Sequence, residues 1–126
     1  MTTRAVAITN APIGTEGRQD LSTKIATWSG LVNGDDGVPY GSPHRADRSI
    51  EVSGVFGAGG NLRLEGRNDL GGDWSLLTDS RGEPLDIQVA GIYQVTEITL
   101  EVRPRVTSGD GTTLLKAVLV ARRNQL

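Results

Sequence analysis

Cysteine is absent from all 126 residues, which excludes disulfides, a thiolate metal site and a cysteine nucleophile. Aromatic residues are scarce: Trp28, Tyr40, Phe56, Trp74 and Tyr93 are the whole set, so a core has to be built mainly from Val, Leu and Ile. The single histidine, His44, rules out a site made of several imidazoles from one chain. No apolar run approaches the roughly 18 residues that a membrane-crossing helix needs, so no membrane partner is expected. The opening MTTRAVAITNAPIG lacks the long apolar segment of a secretory signal, and folding in a reducing cytoplasm is expected. With 13 Lys and Arg against 15 Asp and Glu, the net charge of -2 lacks the positive excess of a nucleic-acid binder. Helical periodicity over ten or more residues is missing as well.

Glycine and two-residue alternation are what the chain has instead. Its 17 glycines are about twice the usual share. Ile50, Val52, Gly54 and Phe56 share one parity, and Leu62 and Leu64 alternate with Arg63 and Glu65 beyond the turn Gly57-Ala58-Gly59-Gly60. Alternation on both sides of a Gly-rich turn predicts a hairpin, because successive strand residues point to opposite faces. Asn68 to Asp73 predicts a second reversal, with Trp74 and Leu76 in a short third strand. Lys24 to Leu31 reads as a strand in which Ile25 and Trp28 fall on opposite parities, so it needs a bulge or burial on both faces. Leu85, Ile87 and Val89 alternate, as do Ile98, Leu100, Val102 and Val106, with Pro104 suggesting an edge or bulge. Ser108 to Gly111 reads as a hairpin loop. The last strand carries Leu115, Ala117, Leu119 and Ala121 on one face but Leu114, Val118 and Val120 on the other, which predicts cover on both sides.

The fold class expected is therefore all-β, an antiparallel β-sandwich of jelly-roll or Ig-like kind with about eight strands. Residues 21–126 form the sandwich in this reading. Residues 1–20 carry Pro12, Gly14 and Gly17 and form an N-terminal arm, either loosely ordered or ordered against a neighbouring subunit through Val6 and Ile8.

The search for chemistry ends without a catalytic group. His44 lies in a loop with Ser42 and Asp47, and a solvated loop histidine is favoured over a triad. Asp35, Asp36, Asp69 and Asp73 suit calcium loops by type but match no EF-hand spacing, and turns use the same residues. The glycines of GVFGAGGN precede no helix and no Lys-Ser/Thr, so a phosphate cradle is rejected. Trp74 is expected in the core, with a sugar-stacking platform as the alternative. From Arg103 onward the chain is locally basic, through Arg103, Arg105, Lys116, Arg122 and Arg123 against Asp110 alone.

Three stretches, TWSGLVNGDDGVP, SIEVSGVFGAGGNLRLEGRNDLGGDWSLLTDSRGEPL and RPRVTSGDGTTLLKAVLVARR, resemble small structural proteins of tailed bacteriophages, the head decoration or cement proteins. The resemblance spans about Thr23 to Arg123 and departs in the longer turn Asn68 to Asp73. It implies a virion protein, made in the host cytoplasm and placed on the capsid exterior, where it stabilises the head by bridging capsid subunits. The implied partners are the major capsid protein and further copies of the chain, as a homotrimer. No enzyme activity, cofactor or metal is expected. The candidate interface residues are Val6, Ile8, Arg103, Arg105, Leu114, Lys116, Val118, Val120, Arg122 and Arg123. A carbohydrate- or receptor-binding module of a phage tail is the alternative.

Overall fold

A computed structural model describes residues 2–13, 18–41 and 43–123, with the side chains of 11–13 and 18–21 outside that description. The described residues form eleven strands and no helix. Sheet I runs in the order β1 (Thr3–Arg4), β4 (Asp36–Gly37), β10 (Glu101–Arg105), β6 (Leu62–Arg67), β7 (Ser75–Leu76), with β8 (Asp86–Ile87) also paired to β6. Sheet II runs β2 (Val6–Ile13), β3 (Arg18–Leu31), β11 (Leu114–Arg122), β5 (Asp47–Val55), β9 (Gly91–Val95). The all-β sandwich read from the sequence is the fold observed. The count exceeds eight because β1 and β4 are two-residue strands, too short for alternation to register, and β2 lies in the stretch read as an arm.

Burial follows parity within the strands. However, Ile98, Leu100 and Val89, expected to share the inward faces of Val102 and Ile87, lie beyond the ends of β10 and β8 and are 53%, 41% and 69% exposed. Ile50, Val52, Leu62, Leu64, Val102, Leu115, Ala117, Leu119 and Ala121 face inward and form the core with Trp28, Leu31, Leu77 and Leu85. In β3 a bulge sets two residues, Ser29 and Gly30, opposite Lys116 alone, since Leu31 pairs with Leu115 but Trp28 with Ala117. Gly30 takes the positive φ of 69° that this requires. The bulge thus turns both Trp28 and Leu31 inward, while Ile25 stays on the outer face.

Trp28 reaches across to sheet I. Its Nε1 donates to the Val38 carbonyl at 2.9 Å, and its ring lies against Gly37. A Cβ at Gly37 would sit 2.6 Å from Trp28 Nε1 and 2.8 Å from Pro104 Cδ. Pro104 lies inside β10 between β4 and β6, and the bulge alternative for it is the one observed: Arg105 pairs with Asp36 but Val102 with Tyr40, so an extra residue stands opposite it. The missing N–H is tolerated because Val102 pairs with Tyr40 and Val106 donates to Asp35 on that side, leaving Pro104 opposite the stretch that Trp28 fills.

Two expected hairpins are corners instead. β5 pairs with β11 and β9 in sheet II, whereas β6 belongs to sheet I, so Gly57–Gly60 crosses between sheets. Ser108–Gly111 likewise joins β10 of sheet I to β11 of sheet II. Alternation reports only which side is buried, and a corner preserves that as well as a hairpin does. β6 and β7 do form the expected reversal, with Glu65 level with Leu76.

The two corners lie side by side and are knitted together. Asn61 accepts from Thr107 N at 3.0 Å and Ser108 N at 3.1 Å, while its amide donates to Asp86 and Thr107, each at 2.8 Å. Asp110 accepts from Ala58 N at 2.9 Å and from Thr112 N and Oγ1 at 2.8 and 2.6 Å. A side chain at Gly57, which has a positive φ, would strike that carboxylate. These bonds, the Thr112 hydroxyl first and then the Ala58 amide, lower the Asp110 pKa to about 2.

Residues 1–20, expected as an arm, carry β1, β2 and the start of β3, all paired within the chain. Asp35 accounts for the anchoring of the first of these. Its carboxylate accepts from Thr2 N at 3.1 Å, Arg4 Nε at 2.7 Å and Val32 N at 3.0 Å. Burial raises its pKa, but the Val32, Arg4 and Thr2 bonds outweigh that and the net shift is downward.

Two outcomes follow. Gly37→Ala is expected to destabilise the fold by about 1–3 kcal/mol, as overpacked cores do, seen as a lower urea midpoint with unchanged slope. Asp110 has a folded pKa of about 2, below its ordinary 3.8, so its contribution is present above about pH 4 and is lost as pH falls toward 2. Thermal melts across that window should fall more steeply for the parent protein than for Asp110→Asn.

Candidate functional site

The outer faces of the two sheets differ in chemistry. On sheet I, Arg63, Glu65 and Arg67 of β6 face Arg105, Arg103 and Glu101 of β10 in register. Arg103 bonds Glu65 at 3.1 Å and Asp36 at 3.3 Å, and Arg67 bonds Glu101 at 2.8 Å. Trp74 lies on this ladder, its ring centroid 4.3 Å from the Arg67 guanidinium and 4.4 Å from that of Arg103. It is therefore a half-buried surface residue and not the core residue expected. The signal against a core position is its place next to the turn, outside the alternating run. With two guanidinium groups against it, the ring is not presented as a bare stacking platform.

Sheet II presents another surface. Its outer face carries Ile25 and Thr27 of β3, Val118 and Val120 of β11, and Ser49, Glu51 and Ser53 of β5. Leu114, Val55 and Ile92 add apolar groups that are 52%, 54% and 70% exposed. Glu51 and Lys116 are the only charges of the central part of this face among the described residues, and Arg122 is held by Asp47 at its rim. An antiparallel sheet with a solvated outer face is ordinarily polar there. Val118 and Val120 are only half-buried, so the cover expected over the last strand is not supplied within the described chain.

The candidate residues thus fall in four places. Leu114, Lys116, Val118, Val120 and Arg122 share the outer face of β11. Arg103 and Arg105 lie on sheet I, where Arg103 is engaged by two carboxylates. Val6 and Ile8 sit on β2 at the sheet II edge, level with Trp28 and Ala26; Val6 packs against the core, and Ile8 is 51% exposed. Arg123 is exposed, and its amide donates to Ser22 O at 3.1 Å.

Other singled-out groups have local roles. His44 is exposed, with Nε2 2.6 Å from Arg45 Nη1. What shielding from water it has, and then the Arg45 and Arg123 charges, hold its pKa below the ordinary imidazole value. Asp47 pairs with Arg122, and Ser42 lies outside the described residues. Among the described residues no three His, Asp or Glu converge as a metal-binding group. Sequence reasoning overlooked Arg48, which shares the inward parity of Ile50 and Val52 and is buried, donating to Arg45 O at 2.9 Å and Thr99 O at 3.4 Å. The parity itself marks it. Burial lowers its pKa from the ordinary guanidinium value.

Comparison with known proteins gives a fold relationship. No protein-family description matches the chain. No curated protein matches it in sequence. Among solved structures it is similar to the SPBc2 prophage-derived protein YomS, at a TM-score of 0.56 and 14% identity, over 78% of this chain and 94% of that one. At that identity the likeness is one of fold.

Proposed function

We propose that the protein is a structural component of a bacteriophage particle, decorating the capsid exterior and stabilising it by bridging neighbouring capsid subunits. The observation that carries this reading is the outer face of sheet II. Ile25, Val118 and Val120 lie at its centre and Leu114, Val55 and Ile92 around them, on the side of the sandwich that faces water. Burying one fully exposed side chain of this kind is worth roughly 1.5–3 kcal/mol, and less where it is already half-buried as Val118 and Val120 are, so several together suffice for adhesion to a flat protein surface. The fold likeness to a prophage-derived protein supports a phage setting. Binding only to the assembled shell would stabilise that shell by mass action, and many copies on one lattice make modest single contacts sufficient. The partners in this reading are the major capsid protein and further copies of the chain, and no reaction is catalysed. The sugar-binding alternative has no observation in its favour, since Trp28 is fully buried and Trp74 is engaged by Arg67 and Arg103.

The test is thermal rupture of heads that lack this protein, from the phage or prophage encoding it, with and without added protein. The parent protein should raise the rupture temperature to a plateau. The double variant Val118→Glu/Val120→Glu, checked for folding by circular dichroism, should bind at least tenfold more weakly. An unchanged rupture temperature at saturating protein would reject the proposal.

A further inference from the structure

The two sheets treat their edges differently. Sheet I ends in two-residue strands, β1 on one side and β7 and β8 toward the other, which offer little backbone for another strand to join. Sheet II ends in β2, eight residues long, and β9, five residues long. Neither VAITNAPI nor GIYQV contains a charged residue, the commonest device that keeps a free edge from pairing. Val6–Thr9 and Gly91–Gln94 make no backbone hydrogen bond on their outer sides among the described residues. Ile8 is 51% exposed and Ile92 is 70% exposed.

These edges also match. Residues pair in unbroken rows across the sheet: Val6–Trp28–Ala117–Val52–Gly91, Ala7–Thr27–Val118–Glu51–Ile92, Ile8–Ala26–Leu119–Ile50–Tyr93, and so on to Asn10 and Val95. The stretches Val6–Asn10 and Gly91–Val95 therefore stand at the same height on opposite sides. Every neighbouring pair in this sheet is antiparallel and there are five strands, so β2 and β9 run in the same direction. Rotation about an axis along the strands brings β9 of one copy beside β2 of the next as a parallel pair, with Ala7 and Ile92 on the same face.

We infer that the protein self-associates head to tail, β9 of one copy joining β2 of the next to continue sheet II through successive subunits. A two-fold joint through either edge would leave the other bare on every copy, whereas the head-to-tail joint occupies both. Repetition of such a contact closes into a ring or grows as a filament. This joint uses the edges of sheet II and does not depend on capsid binding through its face.

The test is made in solution without capsids, so it fails or succeeds separately from the functional proposal. Sedimentation of the parent protein should give a multiple of 13.4 kDa. Ala7→Lys/Ile92→Lys places like charges across the joint and should sediment as a monomer. Ala7→Glu/Ile92→Lys restores attraction only head to tail and should associate again, since a two-fold joint would set like charges together. Both positions are exposed, and thermal melts verify that the variants fold. Independently of any variant, amide exchange of the parent at Val6–Asn10 and Gly91–Val95 should slow with rising concentration. A parent that remains monomeric up to its solubility limit, a lysine pair that associates like the parent, or a folded Glu/Lys variant that stays monomeric would overturn the inference.

Discussion

One side chain sets the distance and alignment of the two sheets. Trp28 leaves β3 of sheet II and ends on Gly37 and Val38 of sheet I, beside Pro104. Each neighbour lacks something the indole requires it to lack. Gly37 has no Cβ to occupy the ring's space, and Pro104 has no N–H to leave unsatisfied opposite it. The bulge at Gly30 aims the indole, and the Val38 carbonyl satisfies its polar atom. Close-packed interiors tolerate little change in volume, so these positions are coupled although they lie in three separate stretches of sequence.

The parity of side chains was legible from the sequence, and the partners of strands were not. Ile50, Val52, Leu62, Leu64 and the inward half of β11 were assigned to the core correctly. Alternation could not distinguish a hairpin from a corner, which is why Gly57–Gly60 and Ser108–Gly111 were misread. It also gave no sign of β1 or β4, two residues each, and β1 is held through a side chain, that of Asp35. Pro104 marked an edge or a bulge, and only the tertiary arrangement decides that it is a bulge opposite a central strand. Leu114, Val118 and Val120 were singled out by two-sided apolarity and Lys116 and Arg122 by the basic last quarter, whereas the ion-pairing of Arg103 needed the register of β6 and β10.

The acidic residues of the glycine-rich loops act as organisers. Asp35 fastens the first strand, and Asp110 joins two corners that are more than fifty residues apart in the chain. Both carboxylates are held in the ionised form by donors of the protein itself. Of the acidic residues that suggest cation loops, Asp35 and Asp36 are occupied by backbone amides, the Thr3 hydroxyl and arginine.

The charge ladder on sheet I has a further consequence. Arg63, Glu65, Arg67, Glu101, Arg103 and Asp36 neutralise one another across β4, β6 and β10, with ion-pair distances from 2.8 to 3.8 Å. Such a surface has little to gain from contact and keeps its water. A molecule laid down by its apolar side would turn this hydrated side outward, so that a coating of them would stop growing after a single layer and coated particles would not clump.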